Sequence, residues 1–290
     1  MSQDNRPDIR QLEHELQAVR QQLALREREL GEALQSAANI QRSLIPRTPP
    51  DYHRLHYAWC FLPFKQVGGD LFNIAHLDEK TVMTYLIDVS GHSLASAMVS
   101  VAVHQSLSPT TGRLLKRPLG YRPYYRVTPP HEVLAGLDAE YPFERFEEFF
   151  TISYLLLNPY TGRVLYGNAG HPPPLLLRSD GVVERLDRGG PIIGLGCRDI
   201  GDEGEAQLRE GDRLFLYTDG LVEQADAAGT PYGESRLTAS LRAHAGLPLK
   251  RACREILAAQ RHFAGAVPQQ DDTTLIGIEF SEREPDGMAT

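Results

Sequence analysis

The sequence predicts an α+β protein in which largely antiparallel sheets follow a long N-terminal coiled-coil helix. Candidate strands and helices come in blocks rather than in strict alternation, which is typical of antiparallel sheets with segregated helices. The first residues instead repeat apolar side chains with a helical period. The chain has 290 residues, 41% hydrophobic and 23% charged, which is the ordinary composition of a folded protein.

The N-terminal helix is predicted over residues 9–44, a stretch without proline. With Ile9 at heptad position a, the a and d positions are all apolar except Arg26. They are Ile9, Leu12, Leu16, Val19, Leu23, Arg26, Leu30, Ala33, Ala37, Ile40 and Leu44. A seam that repeats about every 3.5 residues is typical of a coiled coil. We expect residues 1–45 to form a homodimerisation helix that stops before Pro46, because the residue preceding a proline disfavours helical geometry. The alternative is a single amphipathic helix lying on its own domain.

The remaining elements are predicted from short apolar runs that are separated by Gly, Asp and Pro. The predicted strands are Tyr57–Leu62, Leu71–Ala75, Val82–Ile87, Phe149–Leu157, Val164–Asn168, Pro174–Arg178, Arg213–Tyr217 and Thr274–Phe280. The predicted helices are Ser93–Leu107, Pro130–Glu140, Ser235–His244 and Leu249–Ala264. We expect one domain over residues 46–282 and a disordered tail over residues 283–290.

The stretch from Ser108 to Pro130 has little periodicity and is rich in Arg, Lys and Tyr. Structureless loops of this length are uncommon inside compact domains and are often functional or mobile. Two interpretations stay open: a disordered surface excursion, or a basic flap that docks substrate or covers the site.

The charge and the cysteines limit the partners and the compartment. The net charge is −8 and there is no long basic run, so nucleic acid and anionic membranes are not expected as the main partners. No run approaches the about 18 apolar residues of a membrane span, and the N-terminus lacks the apolar region of a signal peptide. Cys60, Cys197 and Cys253 are scattered and suggest no disulfide framework. We expect a cytoplasmic protein.

Aspartates stand at the ends of several predicted strands. Asp70 closes the turn VGGD, Asp88 ends the run TVMTYLIDVSG, Asp219 follows RLFLY, and Asp271 and Asp272 open the last strand. Each alone reads as a turn aspartate. Together they indicate a site, because buried charges need partners and no Lys or Arg lies within three residues of Asp70, Asp88 or Asp219. A divalent cation would hold such carboxylates together, and oxygen ligands without His or Cys favour Mg²⁺ or Mn²⁺ over Zn²⁺.

Five motifs carry a family resemblance. In order they are VGGDLFN, IDVSGHSLASAM, GNAGHPPPLLL, LYTDGLVEQAD and DDTTLIGIEF. The region from about Ala38 to Phe280 resembles the SpoIIE/RsbU-type branch of the PPM (type 2C) protein phosphatases. The resemblance implies an α/β/β/α sandwich of two antiparallel sheets with two Mn²⁺ or Mg²⁺ ions at one edge. It also implies hydrolysis of phosphoserine or phosphothreonine by a metal-activated water, with no phosphoenzyme intermediate.

The resemblance also implies roles for individual residues. Asp88 is similar to the family's bridging metal ligand, and the carbonyl of Val89 to a second contact. Asp219 and Asp271 are similar to further ligands, with Asp272 the alternative to Asp271. Asp70 resembles an acidic ligand that binds directly or through water. We therefore expect Asp70, Asp88, Asp219 and Asp271 to be the catalytic carboxylates.

Two histidines lie in the motifs. His92 follows the Asp88 motif and could protonate the leaving oxygen or simply stabilise the turn. His171 lies beside a run of prolines, and we expect it to be structural.

Two other functions compete with the phosphatase. The first is a catalytically silent dimeric scaffold that only binds a phosphoprotein; the complete acidic set counts against it. The second is a nucleotide cyclase, because Gly68-Gly69-Asp70 begins like a GGDEF signature, but Leu71 replaces the second acidic residue.

The resemblance finally implies a phosphoprotein substrate, and for this branch a STAS-like anti-sigma-factor antagonist in a bacterial partner-switching pathway. The coiled coil would then be the control element. If removing the residues before Ala38 changed neither the oligomeric state nor the activity, this idea would fail.

Overall fold

The computed structural model describes residues 9–49, 52–91, 93–122, 124–197 and 201–282, with side chains from Glu13 onward. The strands are β1 (Leu55–Leu62), β2 (Leu71–Asp78), β3 (Thr81–Val89), β4 (Lys116–Pro118), β5 (Tyr125–Val127), β6 (Phe150–Leu157), β7 (Arg163–Ala169), β8 (Leu175–Leu177), β9 (Val183–Arg185), β10 (Gly189–Gly190), β11 (Gly204–Gln207), β12 (Arg213–Tyr217) and β13 (Thr273–Phe280). The helices are α1 (Ile9–Leu44), α2 (Leu94–Ser106), α3 (Pro130–Glu140), α4 (Phe143–Phe146), α5 (Asp219–Val222), α6 (Gly233–Ala243) and α7 (Leu249–Ala264). The predicted tail, residues 283–290, lies outside the described residues.

Two sheets form the centre of the fold. The first has the strand order β1-β13-β12-β8-β9, and the second has the order β10-β7-β6-β3-β2 with β11 on β7. The neighbouring strands are antiparallel, apart from the short parallel pair of β10 and β7. The predicted class, an α+β fold with two antiparallel sheets, is confirmed.

Successive side chains of a strand point to opposite faces of its sheet, and in this fold the two faces of the first sheet belong to two different cores. Leu214 and Leu216 of β12 face the second sheet and share its core with Leu86. Phe215, between them, faces α7 and packs in a separate cluster with Cys253. Helices α2 and α3 cover the second sheet, and α7 covers the first. The layers are therefore helix, sheet, sheet, helix, as the resemblance implied.

Helix α1 has two different faces. The apolar a and d side chains of Leu16, Val19, Leu23 and Leu30 are exposed in the single chain. Near its end the helix packs on the sandwich: Ala38 packs with Val67 and Ala97, and the seam residue Ala37 lies against the same cluster. The predicted helix is confirmed. The part of the seam from Leu16 to Leu30 is exposed, while dimerisation stays a prediction.

The Ser108–Pro130 stretch is not structureless. Strands β4 and β5 pair as a hairpin, and Leu115 beside β4 is fully buried. Two arginines of the hairpin, Arg117 and Arg126, form ion pairs with Glu132 of α3. Of the two interpretations, the disordered excursion was wrong, because these ion pairs and the burial of Leu115 hold the short strands on α3, while the basic flap stays a prediction.

No helix among the described residues combines the length and the apolarity needed to cross a bilayer. The described cysteines Cys60, Cys197 and Cys253 are all free thiols, in line with the absence of a predicted disulfide.

Candidate metal centre

Both sheets deliver aspartates to one edge of the sandwich. From the second sheet come Asp70, immediately before β2, and Asp88, the penultimate residue of β3. From the first sheet come Asp219, one residue after Thr218 at the end of β12, and the pair Asp271 and Asp272 that precedes β13. Since β12 and β13 are antiparallel neighbours, with Tyr217 opposite Leu275, the end of one meets the beginning of the other. The predicted set therefore comes together from four separate places in the chain.

Asp70 is the most deeply buried of these carboxylates, with no exposed surface. The hydroxyls of Thr218 and Thr274 donate hydrogen bonds to its Oδ2 over 2.9 and 2.5 Å. Its Oδ1 is buried too and has no hydrogen-bond partner within the described ranges. A buried carboxylate oxygen without a partner is costly, so this atom calls for a ligand.

Asp271 and Asp272 have different environments although they are adjacent. Asp272 is buried, and its carboxylate accepts hydrogen bonds from the backbone N–H groups of Phe64 at 2.6 Å and Gly69 at 2.7 Å. Asp271 is exposed at the edge of the site. Of the two alternatives that the sequence left open, Asp271 has the freer carboxylate, whereas Asp272 holds the loop that carries Asp70.

Asp88 lies at the electrostatic centre of the cluster. Burial, with the nearby carboxylates of Asp70, Asp219 and Asp271 adding to the effect, raises the pKa of Asp88 to about 10. Burial likewise raises the pKa of Asp219, with Glu223 and Asp271 adding to the effect, while a hydrogen bond with the Asp88 carboxyl lowers it. The cluster thus holds more negative charge than its surroundings stabilise.

Two glycines allow the backbone to close around the carboxylates. A Cβ on Gly69 would lie 2.3 Å from the carbonyl oxygen of Val89, and one on Gly220 would lie 2.0 Å from the carbonyl oxygen of Asp272. Either contact is far shorter than van der Waals distance. These positions therefore accept only glycine without displacement of the loops that carry Asp70 and Asp219.

The loop after Val89 is tied to β6. The Ser90 N–H donates to the carbonyl of Phe149 over 2.9 Å, and the Ser90 hydroxyl donates to the Glu148 carboxylate over 2.7 Å. These bonds fix the chain directly after Asp88 and Val89. His92, the histidine with two possible roles, lies outside the described residues.

His171 is a core residue. Its ring is buried and shares a 2.7 Å hydrogen bond between Nδ1 and the Thr151 hydroxyl. Burial lowers the pKa of His171 to about 3, so the ring is neutral at physiological pH. The structural interpretation of this residue agrees with its environment.

Most of the residues of this site lie in a region that matches a known protein family. The family model described as Stage II sporulation protein E (SpoIIE) matches residues 78–281. The chain belongs to the SpoIIE family. The match covers Asp88, Asp219, Asp271 and Asp272 and begins after Asp70. The resemblance given by the motifs is confirmed.

Relatives and solved structures agree with this assignment. Phosphoserine phosphatase RsbP of Bacillus subtilis is 27% identical over 220 residues, which are 74% of this chain and 49% of the relative. The SiaA-PP2C domain of Pseudomonas aeruginosa superposes with a TM-score of 0.73 at 21% identity, covering 89% of this chain and all of that domain. The catalytic domain of the phosphatase PstP, solved with two manganese ions, superposes with a TM-score of 0.53 at 14% identity. This superposition covers 78% of this chain and 98% of the PstP domain. The structures show the fold, and the chain spans about half the length of the curated relatives it matches.

Some functional contacts of this SpoIIE-family chain were missed by sequence reasoning. Thr218 and Thr274 hold Asp70, and the one signal for them was their place in two acidic strand-end motifs, directly before Asp219 and two residues after Asp272. Gln41 of α1 is buried and donates to the carbonyl of Gly68 over 2.7 Å and to the hydroxyl of Ser100. Nothing in the heptad pattern distinguished this glutamine from its neighbours.

The donor set fits a hard divalent cation. Its side chains offer oxygen only, the Oδ1 atom of Asp70 is buried without a partner among the described residues, and the carboxylates raise one another's pKa. As the described side chains stand, no group of three or more Asp, Glu, His or Cys residues is arranged to hold a metal ion. The carboxylates are gathered at one edge, and a cation there would offset their repulsion.

Proposed function

We propose that this SpoIIE-family chain is a metal-dependent protein serine/threonine phosphatase that hydrolyses phosphoserine or phosphothreonine. The observation that carries the proposal is the meeting of carboxylates from both sheets at one edge, with the Oδ1 atom of Asp70 buried and unpartnered in the described part of the chain. A cluster of this kind at an open edge is suited to binding cations and, through them, a phosphoryl group. The names of the relatives point in the same direction.

In this proposal, Asp70, Asp88, Asp219 and Asp271 would hold two Mn²⁺ or Mg²⁺ ions, with the Val89 carbonyl as a further oxygen donor. Asp272 stays the alternative to Asp271. When bound, such ions supply a water nucleophile near neutral pH and neutralise negative charge on the phosphoryl group.

The surrounding residues of the chain position these donors. Thr218 and Thr274 orient Asp70 so that one oxygen faces the site. Asp272 fixes the loop of Gly69, whose missing side chain leaves room for the Val89 carbonyl. This preorganisation means that the carboxylates need little rearrangement when a substrate arrives.

The finer biology is also proposed. The exposed seam of α1 supports a homodimer, and family membership supports a partner-switching role with a STAS-like phosphoprotein as substrate. The competing function is the catalytically silent scaffold, which would bind a phosphoprotein at the same edge without turnover.

A phosphate-release assay separates the two. The full chain is incubated with a phosphoserine peptide and a phosphothreonine peptide, with Mn²⁺ and with EDTA. A phosphatase releases inorganic phosphate from both only when metal is present. A scaffold would bind the phosphoserine peptide, as measured by fluorescence anisotropy, but would release no phosphate. That result would refute the proposed activity.

A further inference from the structure

Three large apolar side chains are exposed near the edge of the sandwich where Asp70, Asp88, Asp219 and Asp271 meet. We call this edge the acidic edge. Phe143 is 43% exposed, Phe149 38% and Leu195 55%. The rings of Phe143 and Phe149 lie 6.4 Å apart between centroids. We call these three residues the apolar rim. Grouped exposed aromatic and aliphatic side chains are a mark of binding surfaces, whereas single ones are not.

The rim is held rigidly. The buried carboxylate of Asp138 accepts hydrogen bonds from the N–H groups of Gly194 at 2.8 Å and Gly196 at 3.3 Å, on both sides of Leu195. The carbonyl of Gly194 in turn accepts from the Phe143 N–H at 2.8 Å. The buried Asp138 thus holds the backbone on both sides of an exposed leucine. Because this backbone is already ordered, less conformational entropy is lost when a ligand binds.

The rim borders the metal centre directly. The carbonyl of Phe149 accepts the hydrogen bond from Ser90, two residues after Asp88. Phe149 also stands two residues before Thr151, the register partner of Asp88. Two residues of extended chain span about 7 Å, so a segment that brings a phosphate to Asp88 extends over this rim.

The charges around the rim favour an uncharged or basic segment. The stretch from Phe143 to Phe149 contains three acidic residues and one basic residue, Arg145. The acidic residues are Glu144, Glu147 and Glu148. An acidic segment would be repelled here, and apolar side chains would gain burial against Phe143, Phe149 and Leu195.

We propose that the apolar rim is a substrate-docking surface that selects phosphorylated segments with apolar side chains flanking the phosphoserine or phosphothreonine. The inference rests on the proposed function, because the rim selects substrates only if the phosphate of the same segment enters the acidic edge. The occupant is a protein substrate, whose chain continues on both sides of the phosphate.

The test uses two phosphoserine peptides of equal length and charge. One carries leucines at the two positions on each side of the phosphoserine, and the other carries serines there. Hydrolysis with Mn²⁺ gives kcat/KM for each, and fluorescence anisotropy with the unphosphorylated forms of both peptides gives docking of the flanking residues without turnover. The enzymes are the full wild-type chain, Phe149→Ser, Leu195→Ser and the control Tyr160→Ser. Tyr160 is an aromatic residue, 52% exposed, in the turn that follows the opposite end of β6.

We expect the wild type and Tyr160→Ser to prefer the leucine peptide about tenfold, as burial of one or two apolar side chains would give. Phe149→Ser and Leu195→Ser should lose most of this preference. Because the two peptides are compared on the same enzyme, a general loss of folding cancels in the ratio. Leu195→Ser is the milder change, since Leu195 is more exposed than Phe149.

An equal preference in wild type and both rim variants would overturn the inference, and so would no preference at all. A change of sedimentation coefficient in Leu195→Ser would instead show that the rim joins two copies of the chain, which also overturns it. Failure of the proposed function is distinguishable, because wild type would then not hydrolyse p-nitrophenyl phosphate with Mn²⁺, while anisotropy would still decide whether the rim binds leucines.

Discussion

Ionising Asp88 in the folded protein costs free energy, because its carboxyl is buried among other carboxylates. Its pKa is raised to about 10 by burial and by the neighbouring carboxylates, from an ordinary value of 3.8. A carboxyl whose pKa is raised on folding stabilises the protein fully below its unfolded pKa, and this stability is lost as the pH rises through the folded pKa. Without cations the protein should therefore become less stable from about pH 4 towards pH 10.

Asp88→Asn should remove this penalty, because an amide does not ionise. In EDTA at pH 8 we expect the variant to have a higher Tm than wild type, by about 2–4 °C for each kcal/mol relieved. At pH 5 the difference should shrink. Thermal unfolding at both pH values is the measurement, with Asp78→Asn at the opposite end of β2 as the matched control. A variant that is less stable than wild type at pH 8 would contradict this account of the cluster.

His171 has the opposite pH dependence. Its pKa is lowered to about 3 by burial, from an ordinary value of 6.5. The unfolded chain therefore binds more protons between these values, and stability falls as the pH falls below 6.5, by up to about 1.4 kcal/mol per pH unit. His171→Asn should have a shallower loss between pH 6.5 and pH 4.5.

Urea unfolding at several pH values measures this slope. His262→Asn, a change on the exposed side of α7, is the control and should keep the wild-type slope. If His171→Asn also kept it, His171 would not be the group that titrates.

At the scale of single residues, the sequence predicted which carboxylates meet but not how each is held. The strand-end positions of Asp70, Asp88 and Asp219 were visible in the motifs. The choice between Asp271 and Asp272 was not, because it depends on backbone N–H groups of Phe64 and Gly69 that are about 200 residues away in the chain. Long-range hydrogen bonds of this kind leave no local pattern.

At the scale of elements, α1 carries the clearest untested prediction. Its seam side chains from Leu16 to Leu30 are exposed, while the last turns, with Ala37, Ala38 and Gln41, pack against the sandwich. The exposed part of the seam lies before this contact, so α1 can pair there with a second copy and keep its place on the sandwich.

Leu23→Glu should turn the proposed dimer into a monomer, because it puts two like charges into an apolar seam. Analytical ultracentrifugation gives the mass, and Gln21→Glu, at a position that points away from the seam, is the matched control. A monomeric wild type, or a dimeric Leu23→Glu variant, would contradict the coiled-coil assignment.

Removal of Met1 to Ala37 tests whether α1 controls activity. The deletion removes the seam and part of the contact made by α1, while Gln41 and its bond to Gly68 remain in the chain. We expect both the oligomeric state and the specific activity with p-nitrophenyl phosphate to change. If neither changed, α1 would not be a control element.

Among the elements, length decided what was predictable. Helices α3 and α7 have the predicted bounds, since sustained periodicity over three or more turns is a strong signal. The hairpin of β4 and β5 was missed because each strand has three residues, too few for an alternating pattern. Helix α5 was missed for a similar reason, being a single turn of four residues.

At the scale of the whole molecule, the site exists only because two sheets pack face to face. Tyr57 of β1 shares a 3.0 Å hydrogen bond with Thr84 of β3, which ties the sheets together inside the sandwich. The same packing places Asp88 of one sheet beside Asp219 of the other. The fold class followed from the sequence pattern, whereas this sheet-to-sheet alignment depends on core packing that periodicity does not encode.

The most direct test of the central claim is the hydrolysis of p-nitrophenyl phosphate with Mn²⁺ and with EDTA, by wild type, Asp88→Asn, Asp219→Asn and the control Asp78→Asn. The account predicts metal-dependent turnover by wild type and Asp78→Asn, and a loss of about a hundredfold or more in the two site variants. Turnover retained in both site variants would contradict the assignment of the carboxylates. A wild type that stays silent with Mn²⁺, even after removal of Met1 to Ala37, would contradict the phosphatase itself.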